Sequence, residues 1–512
     1  MTMAGRAVTP IEERLYRADG VRELDRRAIE DHGMDGYGLM VAAGTAAFGL
    51  LREHWPGTRR IAIVCGGGNN GGDGLVIGRR ALAAGLAVDL VMMRAPEDLG
   101  GSAANAWADF SAAGGCLTAV EDFDPTRAEV IVDALLGTGL DRAVAGPAAT
   151  VIERINRARG GSETGPRVLA IDIPSGLAAD SGRVLGVAVE ADATITFIGH
   201  KRGLYTGAGP AHAGRVYFDA LATPAAIHQD LEPWVRRITR QRARLLLPRR
   251  SPVAHKGDAG RVLVVGGDTG MAGAVRMAGE AALRAGAGLV AVATRRAHTV
   301  AISTARPELM THALEDPARE LPALLAAVDT CIVGPGLGRG EWGQAVMGAV
   351  VGREHRALLV DADGLNALAR EPAPLPAGCV LTPHPGEAAR LLGVSTAEIG
   401  GDRFAALDAM VERYAATVVL KGAGTLIGAP AMRTSLVASA QPALATGGTG
   451  DILAGVIGGL CAQGLSPAAA AEIGVWLHAA AAEETAAGRE AGLLATDLLP
   501  AIGRIRGQLA DG

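Results

Sequence analysis

Short aliphatic runs that stop at glycine, aspartate or asparagine, each followed by a segment of helical spacing, recur along this chain and leave few folds open to it. Arg60-Ile61-Ala62-Ile63-Val64-Cys65 breaks at Gly66-Gly67-Gly68-Asn69-Asn70-Gly71-Gly72-Asp73-Gly74, and a helical pattern follows over 75–87. Further strands fit 87–92, 129–135, 167–173 and 192–198. Upstream, Val21, Leu24, Ala28 and Ile29 recur at helical spacing from Asp19, and Leu39-Met40-Val41 opens a second, more buried helix. The rhythm resumes at 261–265 and continues to the end of the chain. Strand, glycine turn and helix together form the unit of a parallel sheet covered by helices on both faces. The expected fold class is therefore α/β, with two three-layer α/β/α domains, the first doubly wound and Rossmann-like.

Length and charge narrow the functions. The 512 residues suffice for roughly two to four domains. Aromatic residues are only 3%, so the cores must be built from Ala, Val, Leu and Ile. A net charge of −5 carries no electrostatic footprint for nucleic acid. Cys65, Cys116, Cys331, Cys379 and Cys461 are scattered without a C-x-x-C, which argues against disulfides and zinc and for a reducing compartment. Residues 1–20 are mixed and charged, so no leader peptide is expected there. No apolar run approaches the ~20 residues of a membrane span. The expectation is a cytoplasmic protein with small-molecule partners, no nucleic acid and no membrane, assembled as a homo-oligomer.

Two strands of the first half end in polar clusters, Val132-Asp133-Ala134-Leu135-Leu136-Gly137-Thr138-Gly139-Leu140 and Ile171-Asp172-Ile173-Pro174-Ser175-Gly176-Leu177. If these strands are parallel neighbours, Asn69, Asn70, Asp133, Asp172 and Ser175 meet at the carboxyl rim, where open α/β sheets place their sites. An amide oxygen, one carboxylate and a hydroxyl suit a monovalent cation such as K⁺ better than a divalent metal. Asp172, beside that set, is free for general acid–base work. Each aspartate could equally cap the turn after its strand.

These motifs, with Lys201-Arg202-Gly203-Leu204-Tyr205, resemble the NAD(P)H-hydrate epimerase domain, in that family's order and across about residues 10 to 225. The resemblance implies inversion at C6 of the hydrated nicotinamide ring in NADHX and NADPHX. It implies K⁺ on Asn70, Asp133 and Ser175. Substrate would lie on Asn69, Asn70, Gly71, Gly72 and Asp73, and on Gly137, Thr138, Gly139, Leu140, Asp141, Arg142 and Ala143, with Asp172 catalytic. Ala178 stands where that family usually has aspartate, and Gly67 where proline is common.

From Thr223 to Pro252 the pattern changes, and Gln241-Arg242-Ala243-Arg244-Leu245-Leu246-Leu247-Pro248-Arg249-Arg250 is basic and broken by proline. Arginines alone would suit RNA or a membrane surface; a solvated connection is the other reading. The expected division is 1–225, a linker over 226–244, and 245–512. The two halves carry different motifs, as in a fusion.

The second half closes on Ala445-Thr446-Gly447-Gly448-Thr449-Gly450-Asp451 and an apolar helical segment. Such a turn points backbone N–H groups at one spot, and a helix N-terminus adds partial positive charge, so a phosphate fits there. Asp451 at its mouth would repel that phosphate, yet a base that deprotonates a hydroxyl attacking phosphorus belongs at that position. A helix cap is the alternative. With His255-Lys256-Gly257-Asp258-Ala259-Gly260, Thr382-Pro383-His384-Pro385-Gly386-Glu387 and Lys421-Gly422-Ala423-Gly424-Thr425, this turn resembles ADP-dependent NAD(P)H-hydrate dehydratase over 245 to 508, a ribokinase-like fold. The resemblance implies ADP along Lys421, Gly422, Ala423, Gly424, Thr425 and Gly450. It places the hydrated ring near Ala274, Gly338, His384 and catalytic Asp451. Glu387 would hold Mg²⁺ through water. His384 could instead cap its turn.

Together the resemblances imply a bifunctional repair enzyme. The first half would interconvert R- and S-hydrates, and the second would dehydrate the S-form, converting ADP to AMP and phosphate. Two other readings are a small-molecule kinase with a ligand-sensing first half, and a non-enzymatic scaffold.

Overall fold

The computed structural model describes residues 10–160, 165–232 and 235–511, so the first nine residues of the stretch read as leaderless lie outside it. The chain separates into two compact units between Val235 and Arg236. Both are α/β. No helix among the described residues is long and apolar enough to cross a membrane.

The first unit contains β1 (Arg14–Tyr16), β2 (Arg60–Cys65), β3 (Ala87–Met92), β4 (Val130–Ala134), β5 (Arg167–Ile171), β6 (Ala193–Phe197), β7 (His200–Lys201) and β8 (Arg215–Asp219). Six of them form a parallel sheet in the order β3-β2-β4-β5-β6-β8, while β1 pairs with β7. The order reverses between β2 and β4, where an open sheet leaves a crevice at its carboxyl edge. Side chains alternate in facing: Ile61, Ile63 and Cys65 enter one core, Ala62 and Val64 the other.

One expectation needs correcting here. The glycine stretch after β2 is not a turn preceding a helix over 75–87; the helix runs Asn69–Ala83 and contains Asn69 to Gly74 as its opening turns. Its glycines serve close packing. A Cβ on Gly71 would fall 2.0 Å from the Gly66 carbonyl oxygen, and one on Gly74 2.6 Å from Cys65 Sγ. Helix propensity, which disfavours glycine, is overruled by contact with the sheet.

The second unit holds β9 (Val235–Arg237), β10 (Arg261–Val265), β11 (Leu289–Thr294), β12 (Leu309–Ala313), β13 (Thr330–Val333), β14 (Leu358–Val360), β15 (Cys379–Leu381), β16 (Thr417–Leu420), β17 (Thr425–Gly428) and β18 (Ser435–Val437). The order is β12-β11-β10-β13-β14-β15-β16-β17-β18-β9, parallel as far as β16 and antiparallel on both sides of β17. Its reversal lies between β10 and β13. Helices Ala272–Ala285 and Thr449–Ala462 pack so closely that a Cβ on Gly455 would lie 2.1 Å from the Ala278 carbonyl oxygen.

Of the stretch expected as a solvated linker, 236–244 is built into the second unit. Arg236 and Arg237 pair with Ser435 and Leu436, and Arg240–Leu246 is helical. The reason is the apolar residues between the arginines: Ile238, Ala243 and Leu247 are buried in the core of that unit.

Candidate active sites

At the reversal in the first unit, Asp133, one residue before the end of β4, is fully buried. Its Oδ1 accepts from Ser175 Oγ at 2.6 Å and its Oδ2 from Ser175 N at 2.8 Å, and Ser175 Oγ accepts from Leu136 N at 2.8 Å. Asn70, in the first turn of its helix, donates Nδ2 to the Leu136 carbonyl at 3.0 Å and leaves Oδ1 buried without a protein partner. Burial pushes the Asp133 carboxyl up to about 6 despite the Ser175 bonds. One desolvated carboxylate, a hydroxyl and an orphaned amide oxygen fit a weakly hydrated monovalent cation.

Beside this cluster lies a cavity of about 600 Å³ lined by Asn69, Asn70, Asp73, Gly137, Thr138, Gly139, Leu140, Asp141, Arg142 and Asp172, with Asp25 and Lys201. Asp172 follows β5 with φ 68°, a left-handed conformation that costs a non-glycine residue energy and often marks a site. Its Oδ1 accepts from Lys201 Nζ, which also donates to Thr196 Oγ1 at 2.9 Å and to the Phe197 carbonyl at 3.2 Å. Gly137 lies between the two polar sets, its Cβ position 3.4 Å from Asn70 Cβ and 4.0 Å from Asp172 Oδ2. Burial, then Asp172 and Asp25, push the Asp73 carboxyl well above its usual range. Gly71, Gly72 and Ala143 do not line the cavity; the Gly71 and Gly72 Cβ positions abut the Gly66 carbonyl and Met40. Ala178 sits in a turn closed by its own backbone, N–H on Arg183 O and carbonyl accepting from Gly182 N.

In the second unit the loops after β10 and β13 are joined by main-chain bonds, Gly267 N to Pro335 O at 3.0 Å and Asp268 N to Gly336 O at 2.7 Å. Ala274 and Gly338 belong to this joined piece. A Cβ on Gly336 would meet Ala274 at 3.1 Å, and Gly338 donates its N–H to Asp363 Oδ2 at 3.0 Å. Next to it stands an acidic cluster around one lysine. Lys421 Nζ lies 3.0 Å from Asp361 Oδ1 and 3.8 Å from Glu387 Oε2, and Asp361 also accepts from Thr382 Oγ1 at 2.7 Å. Asp451 is in the first turn of the helix Thr449–Ala462, and burial and Asp361 push its carboxyl up to about 7. Burial likewise raises Glu387 to about 7, against the pull of Lys421.

His384 does cap its helix. Nδ1 accepts from Gly386 N at 3.0 Å and Glu387 N at 3.4 Å, while Glu387 Oε2 accepts from His384 N at 2.8 Å. With Nδ1 an acceptor, the ring proton is on Nε2, and burial keeps the imidazole neutral. That nitrogen lies 3.4 Å from Glu387 Oε1, and the side chain is half exposed.

A second cavity, about 450 Å³, is lined by Lys421, Gly422, Ala423, Thr425, Thr449 and Gly450, with apolar walls from Val437, Leu453 and Val475. Gly424 is not in the lining; it donates its N–H to Ser439 O, and its carbonyl accepts from Arg403 Nη2 at 3.3 Å. The buried Arg403 also donates to the Leu420 carbonyl at 3.2 Å and the Lys421 carbonyl at 3.4 Å, holding the loop from beneath.

Asp25, Asp361 and Asp363 carried no role in the sequence reading, and Lys201 appeared only within a motif. Asp25 had one available signal: it follows Val21 by four residues and precedes Ala28 by three, a carboxylate on the apolar stripe of its helix. Asp361 and Asp363 flank Ala362, whose φ of 47° cannot be read from the residue type.

The family model described as "YjeF-related protein N-terminus" matches residues 36–203, and that described as "NAD(P)H-hydrate dehydratase" matches 262–504. The chain is 46% identical over 487 residues to the bifunctional NAD(P)H-hydrate repair enzyme of Coxiella burnetii, covering 95% of this chain and 98% of that one. To the enzyme of the same description from Escherichia coli K12 it is 43% identical, covering 97% and 94%. Among solved structures, a ribokinase-like superfamily protein from Enterococcus faecalis is similar at 26% identity and TM-score 0.51, over 55% of this chain and 98% of its own.

Proposed function

The chain belongs to the bifunctional NAD(P)H-hydrate repair enzymes, and from that premise we propose that its first unit interconverts the R- and S-hydrates at C6 while its second dehydrates the S-hydrate with ADP. The observation that carries this reading is that an aspartate lines a sheet-rim cavity in one unit, Asp172, and opens a helix beside the nucleotide-sized cavity of the other, Asp451.

In the first unit Asp172, paired with Lys201, is the base. Asn70 Oδ1, Ser175 Oγ and Asp133 would hold K⁺, which would neutralise a buried carboxylate and fix the loop at Leu136. Helix N–H groups at Asn69 and Asn70 face the substrate's phosphates.

In the second unit a hydroxyl on a saturated carbon leaves poorly, and phosphorylation makes it a competent leaving group. Asp451 takes the hydroxyl proton. The N–H groups that open its helix hold the charge of the transferring phosphoryl, and Lys421 and Gly450 position the donor. Loss of phosphate and of the C5 proton then restores the dihydropyridine, leaving AMP and phosphate. Glu387 would hold Mg²⁺ through water, which would offset the excess carboxylate charge around Lys421.

Recovery of NADH absorbance from a mixture of both NADHX isomers, with ADP, ATP or neither, tests the reading. Full recovery with ADP is expected. Accumulation of a phosphorylated hydrate, or no recovery, would sink it in favour of a kinase.

A further inference from the structure

Inversion at C6 calls for two proton-transferring groups. The ring nitrogen can expel the C6 hydroxyl only if that oxygen receives a proton as the C–O bond breaks. The iminium left behind is planar at C6. A water molecule adding to its opposite face must then lose a proton. Asp172 suits one of these tasks: it lines the cavity, and its Oδ1 already accepts from Lys201 Nζ. Lys201 itself is occupied by Asp172, Thr196 and the Phe197 carbonyl, in full burial. The second proton-transferring group has to come from elsewhere on the cavity wall.

We propose that Asp25 is that group: a catalytic residue on the wall formed by the helix Ala18–Arg26, paired with Asp172 across the epimerase cavity. Asp25 lines the cavity together with Asp73, Asp172 and Lys201. It comes from the apolar side of an amphipathic helix whose Val21, Leu24 and Ala28 are buried, a side on which a carboxylate has no packing role. The charged groups around it are Arg22 on its own helix, Asp73 on Asn69–Ala83, Asp172 after β5, Lys201 on β7, and Asp141 and Arg142 on the loop after β4. Burial raises its carboxyl to about 6, against the pull of Lys201 and with the Asp172 charge adding to it, so it keeps a proton up to about pH 6.

The atoms balance. Asp25 gives its proton to the C6 oxygen and water departs as the N1 lone pair forms the iminium. Water returns to the other face, and its proton goes to Asp172. For the opposite isomer the two carboxyls exchange roles, and the two protonation states are restored through solvent. No oxidant or phosphoryl donor enters.

The inference rests on the epimerase reading, and the test separates them. R–S interconversion of NADHX is followed by the full chain without ADP, in water enriched in oxygen-18. Wild-type chain should place label at C6 with each inversion, and its rate should fall as pH rises above about 6. Asp25→Asn should lose at least ~10²-fold in kcat, keep its KM within about threefold, and lose the alkaline fall; Asp25→Glu should recover part of the rate. Inversion without label in the wild type, or an Asp25→Asn rate equal to wild type with the alkaline fall intact, overturns the proposal. Failure of wild-type chain to interconvert the isomers at all instead overturns the epimerase reading. Label incorporation is read on the wild type, so the proposal stays testable if the Asn variant does not fold.

Discussion

Asp451 is the residue on which the second activity turns. Its carboxyl sits at about 7 because it is buried beside Asp361, and a base works only when deprotonated. Dehydration kcat should therefore climb with pH and level off above about 7. Asp451→Asn should abolish that climb and cut kcat ~10²–10⁴-fold while ADP still binds; steady-state rates across pH, with ADP titrations, check both halves. In the first unit, Asn70→Ala removes a buried amide oxygen left without a protein partner. The expected outcome is an epimerase that no longer responds to K⁺, measured as isomer interconversion over a K⁺ titration, with dehydration of purified S-hydrate unchanged. Asp172, Asn70 and Asp451 were legible because each stands where an aliphatic run or a glycine turn ends. Lys201 and Asp361 were not, since their roles come from contacts made across the fold, to Asp172 and Lys421.

At the scale of elements, the six strands given bounds were read to within two residues of their ends, while β1, β7, β8, β11 and β12 were not read and the helix after β2 was placed to begin too late. Glycine reads as a turn former, and only the approach of Gly66 and Met40 shows why glycines here open a helix. That origin has a measurable consequence. Gly71→Ala drives a methyl into the Gly66 carbonyl and should cost ~1–3 kcal/mol, whereas Gly72→Ala clashes with the flexible end of Met40 and merely touches Ala103 Cα at 3.4 Å, and should cost less. Thermal melts of the two variants order them. The nucleotide loop tells a similar story. Lys421 to Thr425 announced itself through its glycines, but the guanidinium of Arg403 beneath it arrives from the helix Arg403–Tyr414, well upstream. Arg403→Met should weaken ADP binding ~10–100-fold, the equivalent of ~1.5–3 kcal/mol of charged hydrogen bonding. It should do so while sparing kcat at saturating ADP, as KM and kcat measured separately would show.

For the whole molecule, two units with unlike sheet orders each carry their own rim, so the two losses should separate. Asp172→Asn should convert the S-hydrate to NADH at the normal rate and then stall, the R-hydrate following only as fast as it inverts unaided. Asp451→Asn should bring the isomers to equilibrium and make no NADH. Progress curves from a mixed-isomer stock distinguish these patterns. The loops after β10 and β13 bear on how the second site meets its ligand. Main-chain bonds from Gly267 to Pro335 and from Asp268 to Gly336 weld them into a single floor. The amides of Gly267 and Asp268 should then trade with deuterated solvent as slowly as those of β10, ligand or none. Whatever stiffening accompanies turnover would register instead in the amides of Lys421 to Thr425.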